Sequence, residues 1–128
     1  MGINFSHWDT GVSHRTFHTF RFRIADAAGI PLRDLIDTTE WRDGRLDVTR
    51  RASRAWEEFT DPIVLFLKAF DTEASFTPQQ CRSIKRRLQE IASGMHESED
   101  EWVRVMAFDL ATAMSMASFM NESFTWIG

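Results

Sequence analysis

Residues 56–81 read W-E-E-F-T-D-P-I-V-L-F-L-K-A-F-D-T-E-A-S-F-T-P-Q-Q-C, and we expect this segment to decide how the chain folds. Proline favours the first turn of a helix, so Asp61-Pro62 and Thr77-Pro78 each predict a helix start. Residues 63–70 are apolar on nearly every side of a helix, which predicts the most buried segment of the chain. This short helix is therefore the predicted centre of the core.

Before this segment, apolar residues recur mostly at helical spacing. The pattern predicts a helix from the Ser13 N-cap to a left-handed stop at Gly29, a short helix from Pro31 to about Asp37, a polar loop over 37–46 and a helix from Asp47 to Phe59. Ile3 and Phe5 alternate with polar residues, which fits either a short strand or an extended arm ahead of the first helix.

After the central segment, two further helices are predicted. The first buries a stripe of Cys81, Ile84, Leu88 and Ile91, and Gly94 ends it. The second begins at the capping box Ser98-Glu99-Asp100-Glu101 and runs to about Met120. It carries a strip of small residues that permits close contact with another helix, namely Ala107, Ala111, Ser115 and Ser118.

These elements predict a single domain, residues 1–128, with a mainly α fold. We expect a compact bundle of about five or six helices, with a minor β pairing between residues 3–6 and 124–127. The sequence is 43% hydrophobic and 128 residues long. That composition and length suffice for a stable core.

Length and charge restrict the classes of function. The formal net charge is −4 and the chain has one cysteine. An acidic chain has no general attraction for phosphate backbones, so nucleic acid is not the expected partner. One thiol forms no internal disulfide, and the sequence has neither an export signal nor a run of about 18 uncharged apolar residues. We therefore expect a cytoplasmic protein that does not enter a membrane.

A set of positions in the central segment forms a pattern: Trp56, Pro62, Ile63, Leu67, Asp71, Thr77, Pro78, Gln80 and Cys81. In this pattern the chain resembles a family of small uncharacterised proteins from actinobacteria and their phages, which read roughly W-x5-P-L-x2-L-L-x-H-S-D-C-D-G-x-L-T-P-x-Q-C. Upstream, F-x-x-F-R-x-x-I-A-x-A-x-G-I-x-L, from Phe17 to Leu32, is similar to the first helix of the same family. The family has no established activity, so the resemblance implies a fold unit and little more.

The loop of that family, S-D-C-D-G-x-L, looks like a shortened calcium loop, whereas this chain has F-D-T-E-A-S-F. Asp71 and Glu73 are carboxylates at alternate positions, as calcium ligands would be. However, Ala74 replaces the glycine and Gln80 replaces the terminal glutamate of such a loop. We therefore expect an acidic turn that caps the next helix rather than a calcium site.

Two histidines have a spacing that metal sites use. His14 and His18 are four residues apart on a predicted helix, so both imidazoles could face one ion, and His7 could approach from the N-terminal arm. A zinc helix of this type carries a glutamate after its first histidine, and this chain has Arg15 there. The spacing fits surface or interface histidines as well as a metal site, and we predict no metal.

No catalytic constellation stands out in the sequence. Cys81 shares a stripe with apolar residues, which predicts a buried structural thiol rather than a nucleophile. The loop carboxylates Asp37, Glu40 and Asp43 could supply an acid-base pair, but such pairs arise by chance in a chain with 19 acidic residues. With no glycine-rich phosphate loop and no nucleophile elbow, we predict a protein that is not an enzyme and carries no cofactor.

Two groups of basic residues are predicted on helices that could be neighbours. They are Arg50, Arg51 and Arg54, and Lys85, Arg86 and Arg87. They form either ordinary solvated helix faces or one positive patch for an acidic protein or a nucleic acid.

The pattern as a whole favours a small, non-catalytic protein-interaction module. Excess apolar surface on the last helix and exposed aromatic residues near the chain ends are typical of protein-binding surfaces. The phage-linked resemblance suggests an inhibitor or modulator of a host or defence protein. The alternative is a nucleic-acid-associated regulator that uses the basic helix faces, and a homo-oligomer fits either hypothesis.

Overall fold

The structure is a computed structural model that describes residues 2–95 and 101–128, and it contains far more β-structure than the sequence predicts. The chain is 52% helical and 24% strand, so the prediction of a mainly α, all-helical bundle is wrong. In chain order the elements are β1 (Gly2–Phe5), β2 (Trp8–Ser13), α1 (His14–Ala28), α2 (Leu32–Leu35), β3 (Thr38–Arg42), β4 (Arg45–Arg50), a 3-10 turn (Trp56–Glu58), α3 (Ile63–Lys68), β5 (Glu73–Phe76), α4 (Pro78–Ser93), α5 (Glu101–Phe119) and β6 (Phe124–Ile127). Within the described residues, none of the helices has the length and apolar content needed to cross a bilayer.

A four-stranded antiparallel sheet, in the order β2-β1-β6-β5, forms one layer of the fold. Its central seam joins β1 to β6, where Phe5 lies opposite Trp126. The predicted pairing of residues 3–6 with 124–127 therefore forms, but as the middle of a sheet and not as a minor addition to a helical bundle. Burial alternates along β1 and β6, because one face of the sheet meets the helices and the other meets solvent.

The side chain of Trp126 lies at the centre of the core and is fully buried. Its indole contacts aromatic rings from four other elements at centroid distances of 5.1 to 5.9 Å, namely Phe5 of β1, Phe17 of α1, Phe66 of α3 and Phe76 of β5. The indole N–H donates to the carbonyl of Phe70 at 2.8 Å. The predicted core segment, 63–70, thus contributes one side of an aromatic cluster that is centred on β6.

The segment 37–59 differs most from its prediction. In place of a polar loop and a helix, β3 and β4 form a separate antiparallel hairpin, which is followed by an irregular segment and the 3-10 turn. The turn residues Asp43 and Gly44 have φ angles of 51° and 78°. Two successive left-handed residues give the turn that matches the twist of hairpin strands, and Asp-Gly is a preferred pair for it. This turn overrides the helical spacing that begins at Asp47.

The helix signals predicted at Ser13, Gly29, Asp61 and Thr77 are confirmed. Asp61 accepts the first backbone N–H of α3 at 3.0 Å. Thr77 and Gln80 form a reciprocal capping box at the start of α4, with distances of 2.9 and 3.1 Å. Ser13 caps α1, and Gly29 ends it with a φ of 75°. These signals act between near neighbours in sequence, which is why they could be predicted.

The C-terminal end of α3 is held by the side chain of Arg21. Its guanidinium donates to the carbonyls of Phe66 and Leu67 at 3.3 Å each, and to the carbonyl of Ala69. Burial lowers the pKa of Arg21, although the group stays far from neutral at any ordinary pH. Arg21 thus satisfies carbonyls that the end of α3 leaves without intrahelical partners. Phe70 lies beyond this end and is exposed, not buried as predicted.

Helices α4 and α5 pack closely along the predicted strip of small residues. Ala107 and Ala111 are fully buried. The hydroxyls of Ser115 and Ser118 accept hydrogen bonds from basic side chains of α4, at 3.4 and 3.2 Å. Of the predicted capping box of α5, residues 98–100 lie outside the described residues.

Replacing Trp126 by alanine should lower the free energy of unfolding by about 3–5 kcal/mol, because the change removes a fully buried aromatic side chain. It also leaves the Phe70 carbonyl without its donor. Urea unfolding followed by circular dichroism measures the difference. The matched control is Phe119→Ala, at an exposed aromatic residue, which should change the unfolding free energy by less than about 0.5 kcal/mol. Equal losses in both variants would contradict the central role of Trp126.

Candidate functional site

Strands β3 and β4 form a hairpin of residues 38–50, which we call the hairpin arm. It pairs with no further strand among the described residues, and its main contacts are internal. A two-stranded hairpin in water is marginally stable, because it buries little surface of its own. The two faces of the hairpin arm are therefore the first candidates for a binding surface.

One face of the hairpin arm is apolar and open to solvent. Trp41 lies opposite Leu46, and Thr39 lies opposite Val48, so these four residues share a face. Trp41 is 74% exposed, and both Leu46 and Val48 are exposed. The described part of the chain leaves this apolar face uncovered.

The other face of the hairpin arm carries charges in bands. Glu40 lies opposite Asp47, and Arg42 lies opposite Arg45. Opposite charges follow one another along each strand, where Arg42 is 3.3 Å from Glu40 and Arg45 is 3.4 Å from Asp47. Like charges face each other across the strands, an arrangement that destabilises an antiparallel pair. The arm thus has a basic band next to its turn and an acidic band behind it.

The base of the hairpin arm is fixed to the body by several hydrogen bonds. Asp37 accepts the backbone N–H of Ala52 at 2.7 Å. The carbonyl of Asp34 accepts two backbone N–H groups of the segment after β4, at 2.9 and 3.0 Å. The Arg50 guanidinium lies 3.7 Å from the Asp34 carboxylate and donates to a carbonyl of α2. The arm therefore leaves the body in a defined direction, which preorganises its apolar face for binding.

The two basic groups do not lie on a pair of helices. Arg50 ends β4, and Arg51 and Arg54 follow it in the irregular segment, so only the second group, Lys85 to Arg87, lies on a helix, α4. Four of these arginines lie close to carboxylates: Arg50 to Asp34 at 3.7 Å, Arg51 to Asp37 at 3.6 Å, Arg54 to Glu58 at 3.1 Å and Arg87 to Asp61 at 2.8 Å. These carboxylates reduce the positive potential that the arginines offer to phosphate groups.

The candidate histidines have separate partners. The Nδ1 atom of His14 is 3.0 Å from the Asp71 carboxylate, and the Nε2 atom of His7 is 3.0 Å from the Glu122 carboxylate. The imidazole of His18 lies 4.7 Å from a phenyl ring on the same helix. The structure therefore does not bring His14 and His18 to one ligand. Among residues 2–95 and 101–128, no group of three or more histidine, cysteine or acidic residues could hold a metal ion.

The acidic loop of the central segment leads into a strand. Asp71 pairs with His14, and Glu73 begins β5, where it lies opposite Ile127 of β6. The N-cap of α4 is the side chain of Thr77, so the expected acidic turn does not cap that helix. Asp71 therefore already has an imidazole partner, and Glu73 belongs to the sheet.

The remaining candidate side chains have structural partners. Cys81 is fully buried, as its stripe predicts, and its Sγ atom is 3.7 Å from the carbonyl of Phe76. Burial raises the pKa of the Cys81 thiol. Asp37 binds the base of the hairpin arm, Glu40 pairs with an arginine, and Asp43 forms the turn. The three carboxylates are thus spread along the arm.

The hairpin arm was absent from the sequence-based prediction, although its sequence contains a signal. Asp43-Gly44 is flanked by segments in which Thr39, Trp41, Leu46 and Val48 alternate with charged residues. An Asp-Gly pair between alternating segments is a strong short-range indication of a hairpin.

Comparisons with protein-family models, with curated proteins and with solved structures find no match to this chain. The geometry of the described residues therefore carries the functional argument.

Replacing Gly44 by valine should loosen the hairpin arm and leave the body folded. A β-branched residue at a φ of 78° is strained by about 1–3 kcal/mol, and a hairpin has little stability to oppose that strain. Hydrogen exchange followed by mass spectrometry should show faster exchange over residues 38–50 and unchanged exchange in α4. The matched control, Gly94→Ala, has a φ of −87° and should leave the arm as it is. Faster exchange throughout the Gly44→Val variant would show that the arm is part of the cooperative core.

The thiol of Cys81 should react slowly in the native protein. Burial excludes the reagent, and a raised pKa lowers the fraction of thiolate at a given pH. Reaction with Ellman's reagent at pH 8 should be slow for the folded protein and rapid in guanidinium chloride. A native rate at pH 8 equal to that of the unfolded protein would contradict the burial of this side chain.

Proposed function

We propose that this protein is a small, non-catalytic protein-interaction module whose contact element is the hairpin arm. The observation that carries the proposal is the exposed apolar face of the arm, with Trp41 at its centre. Tryptophan and arginine are the residues that most often dominate binding energy at protein interfaces. The hairpin arm has Trp41 on one face, and Arg42 and Arg45 on the other.

The way in which the hairpin arm is held supports a binding role. Its base is fixed by hydrogen bonds on both sides, so a partner would not have to order the arm on binding. Its strands also have unpaired edges within the described residues, and such edges bind extended segments of other chains by adding a strand. Both features lower the free energy that a partner must supply.

The phage-linked resemblance of the central segment adds a biological direction to this proposal. It favours an inhibitor or modulator of a host or defence protein, in the cytoplasm. The alternative, a nucleic-acid-associated regulator, would depend on the basic groups. Because four of those arginines lie beside carboxylates, we prefer the protein-interaction proposal.

Affinity capture from a host lysate tests the proposal with two matched variants. The variant Trp41→Thr with Leu46→Thr removes the apolar face and keeps residues that favour strands. It should weaken capture of a specific protein by about 30-fold or more, as expected for the loss of a central tryptophan. The control is Phe119→Gln, which removes a 92% exposed aromatic side chain at the end of α5 and should retain the partner.

The two variants separate the arm from other apolar surfaces. Loss of the partner in Phe119→Gln, with retention in the arm variant, would place the interface on α5 and contradict the proposal. Recovery of nucleic acid by all variants, with a steep decrease as salt is raised, would favour the alternative.

A further inference from the structure

The charged face of the hairpin arm has a pattern that the arm itself does not explain. Its two cross-strand charged pairs, Glu40 with Asp47 and Arg42 with Arg45, both join like charges. Directly opposed like charges destabilise a strand pair, whereas opposite charges stabilise it. A strand that pairs with the outer edge of the arm and places opposite charges beside these residues would make them stabilise that pairing.

The outer edge of β3 is available to such a neighbour. Arg42 and Arg45 flank the two-residue turn of the hairpin arm. In such a turn, each flanking residue donates its backbone N–H to the other and accepts from it. The next residue along β3, Trp41, then directs its N–H and C=O groups to the free edge. Within the described residues, no strand occupies that edge.

We propose that a second copy of this chain binds there, with the β3 strands of the two copies antiparallel and a two-fold axis at Trp41. This axis places Arg42 of each copy opposite Glu40 of the other, so two attractive pairs form. It also places the two Trp41 residues opposite each other, where they exchange backbone hydrogen bonds and their rings can pack together on the apolar face.

Charge symmetry favours a second copy over an unrelated strand. A two-fold axis at one residue brings the preceding residue of one copy against the following residue of the other. Two identical β3 strands therefore attract each other only if the residues before and after the axis carry opposite charges. Glu40 and Arg42, on either side of Trp41, meet this requirement. Both side chains are well exposed, at 59% and 61%.

The β4 edge meets the same charge rule about Leu46, where Arg45 is 78% and Asp47 is 34% exposed. We place the interface on the β3 edge because both of its charged residues are well exposed and because Trp41 at its axis buries more apolar surface than Leu46 would.

The dimer would also enlarge the apolar face of the hairpin arm. Two arms joined edge to edge give a four-stranded sheet, and both sets of Trp41, Leu46 and Val48 lie on the same side of it. This inference rests on the proposed function, since it names a second copy as one partner of the arm. The enlarged face then remains open to a further protein.

Two charge reversals test the dimer. Glu40→Arg and Arg42→Glu each put like charges against each other across the two-fold axis. Inside the arm, each replaces a like-charged cross-strand pair by an opposite one and removes the Arg42–Glu40 ion pair along β3. Sedimentation equilibrium should give a dimer for the wild type and a dissociation constant at least about tenfold higher for each variant alone. Hydrogen exchange over residues 38–50, compared at a concentration at which the wild type is monomeric, should be no faster in the variants, which shows that the arm stays folded.

A mixture of the two variants is the decisive experiment. Glu40→Arg has arginine at both positions and Arg42→Glu has glutamate at both, so the mixed dimer has two attractive pairs and should form where neither variant dimerises alone. The double variant, Glu40→Arg with Arg42→Glu, should dimerise like the wild type. A wild type that remains monomeric up to about 1 mM, a concentration at which even weak association is visible, would overturn the inference. Single variants that dimerise as tightly as the wild type would overturn it too.

These outcomes are independent of the proposed function. A monomeric wild type that still captures a protein partner through Trp41 and Leu46 would leave the interaction module standing and remove only the dimer. A dimer that follows the charge rules, with no other protein captured, would support the inference and remove the proposed role toward another protein.

Discussion

The indole of Trp126 has to be surrounded by hydrocarbon and hydrogen-bonded at the same time, and the rest of the fold depends on how this is achieved. Aromatic rings from α1, α3, β1 and β5 supply the apolar surroundings, and the Phe70 carbonyl accepts the N–H. That carbonyl is available because α3 has already ended, with its last carbonyls bound by Arg21. One side chain thus links the sheet, two helices and the loop that follows α3.

The part of this fold that follows from local signals could be predicted, and the part that follows from distant partners could not. Ser13, Gly29, Asp61 and Thr77 act on backbone groups within about one helical turn, so the bounds of their helices were visible in the sequence. Strand β5 has no such local determinant, and it is a strand because β6 lies beside it. The prediction of a helix from Asp47 was wrong because it used only the spacing of apolar residues. That spacing contains no information on the left-handed turn at Asp43 and Gly44.

The candidate site was less predictable than the fold. Alternation of Trp41 with charged residues indicates a strand face, but a sequence cannot show that no helix covers that face. The basic groups show the opposite case, since their charge was evident in the sequence and the nearby carboxylates of Asp34, Asp37 and Asp61 were not. The exposure of the Trp41 face and the neutralisation of the arginines both depend on contacts between segments that are distant in sequence.

The central seam of the sheet constrains how the protein can be made in a cell. The Thr125 N–H donates to the Ser6 hydroxyl across 119 residues of sequence, and β1 and β6 pair at the same place. A ribosome synthesises residue 6 long before residue 125, so β1 and its hairpin partner β2 leave the exit tunnel without the strand and the tryptophan that bury them. The nascent chain therefore exposes Ile3 and Phe5 of β1 until residues 124–127 have been synthesised. Chaperones that recognise extended apolar segments would meet this protein at that stage.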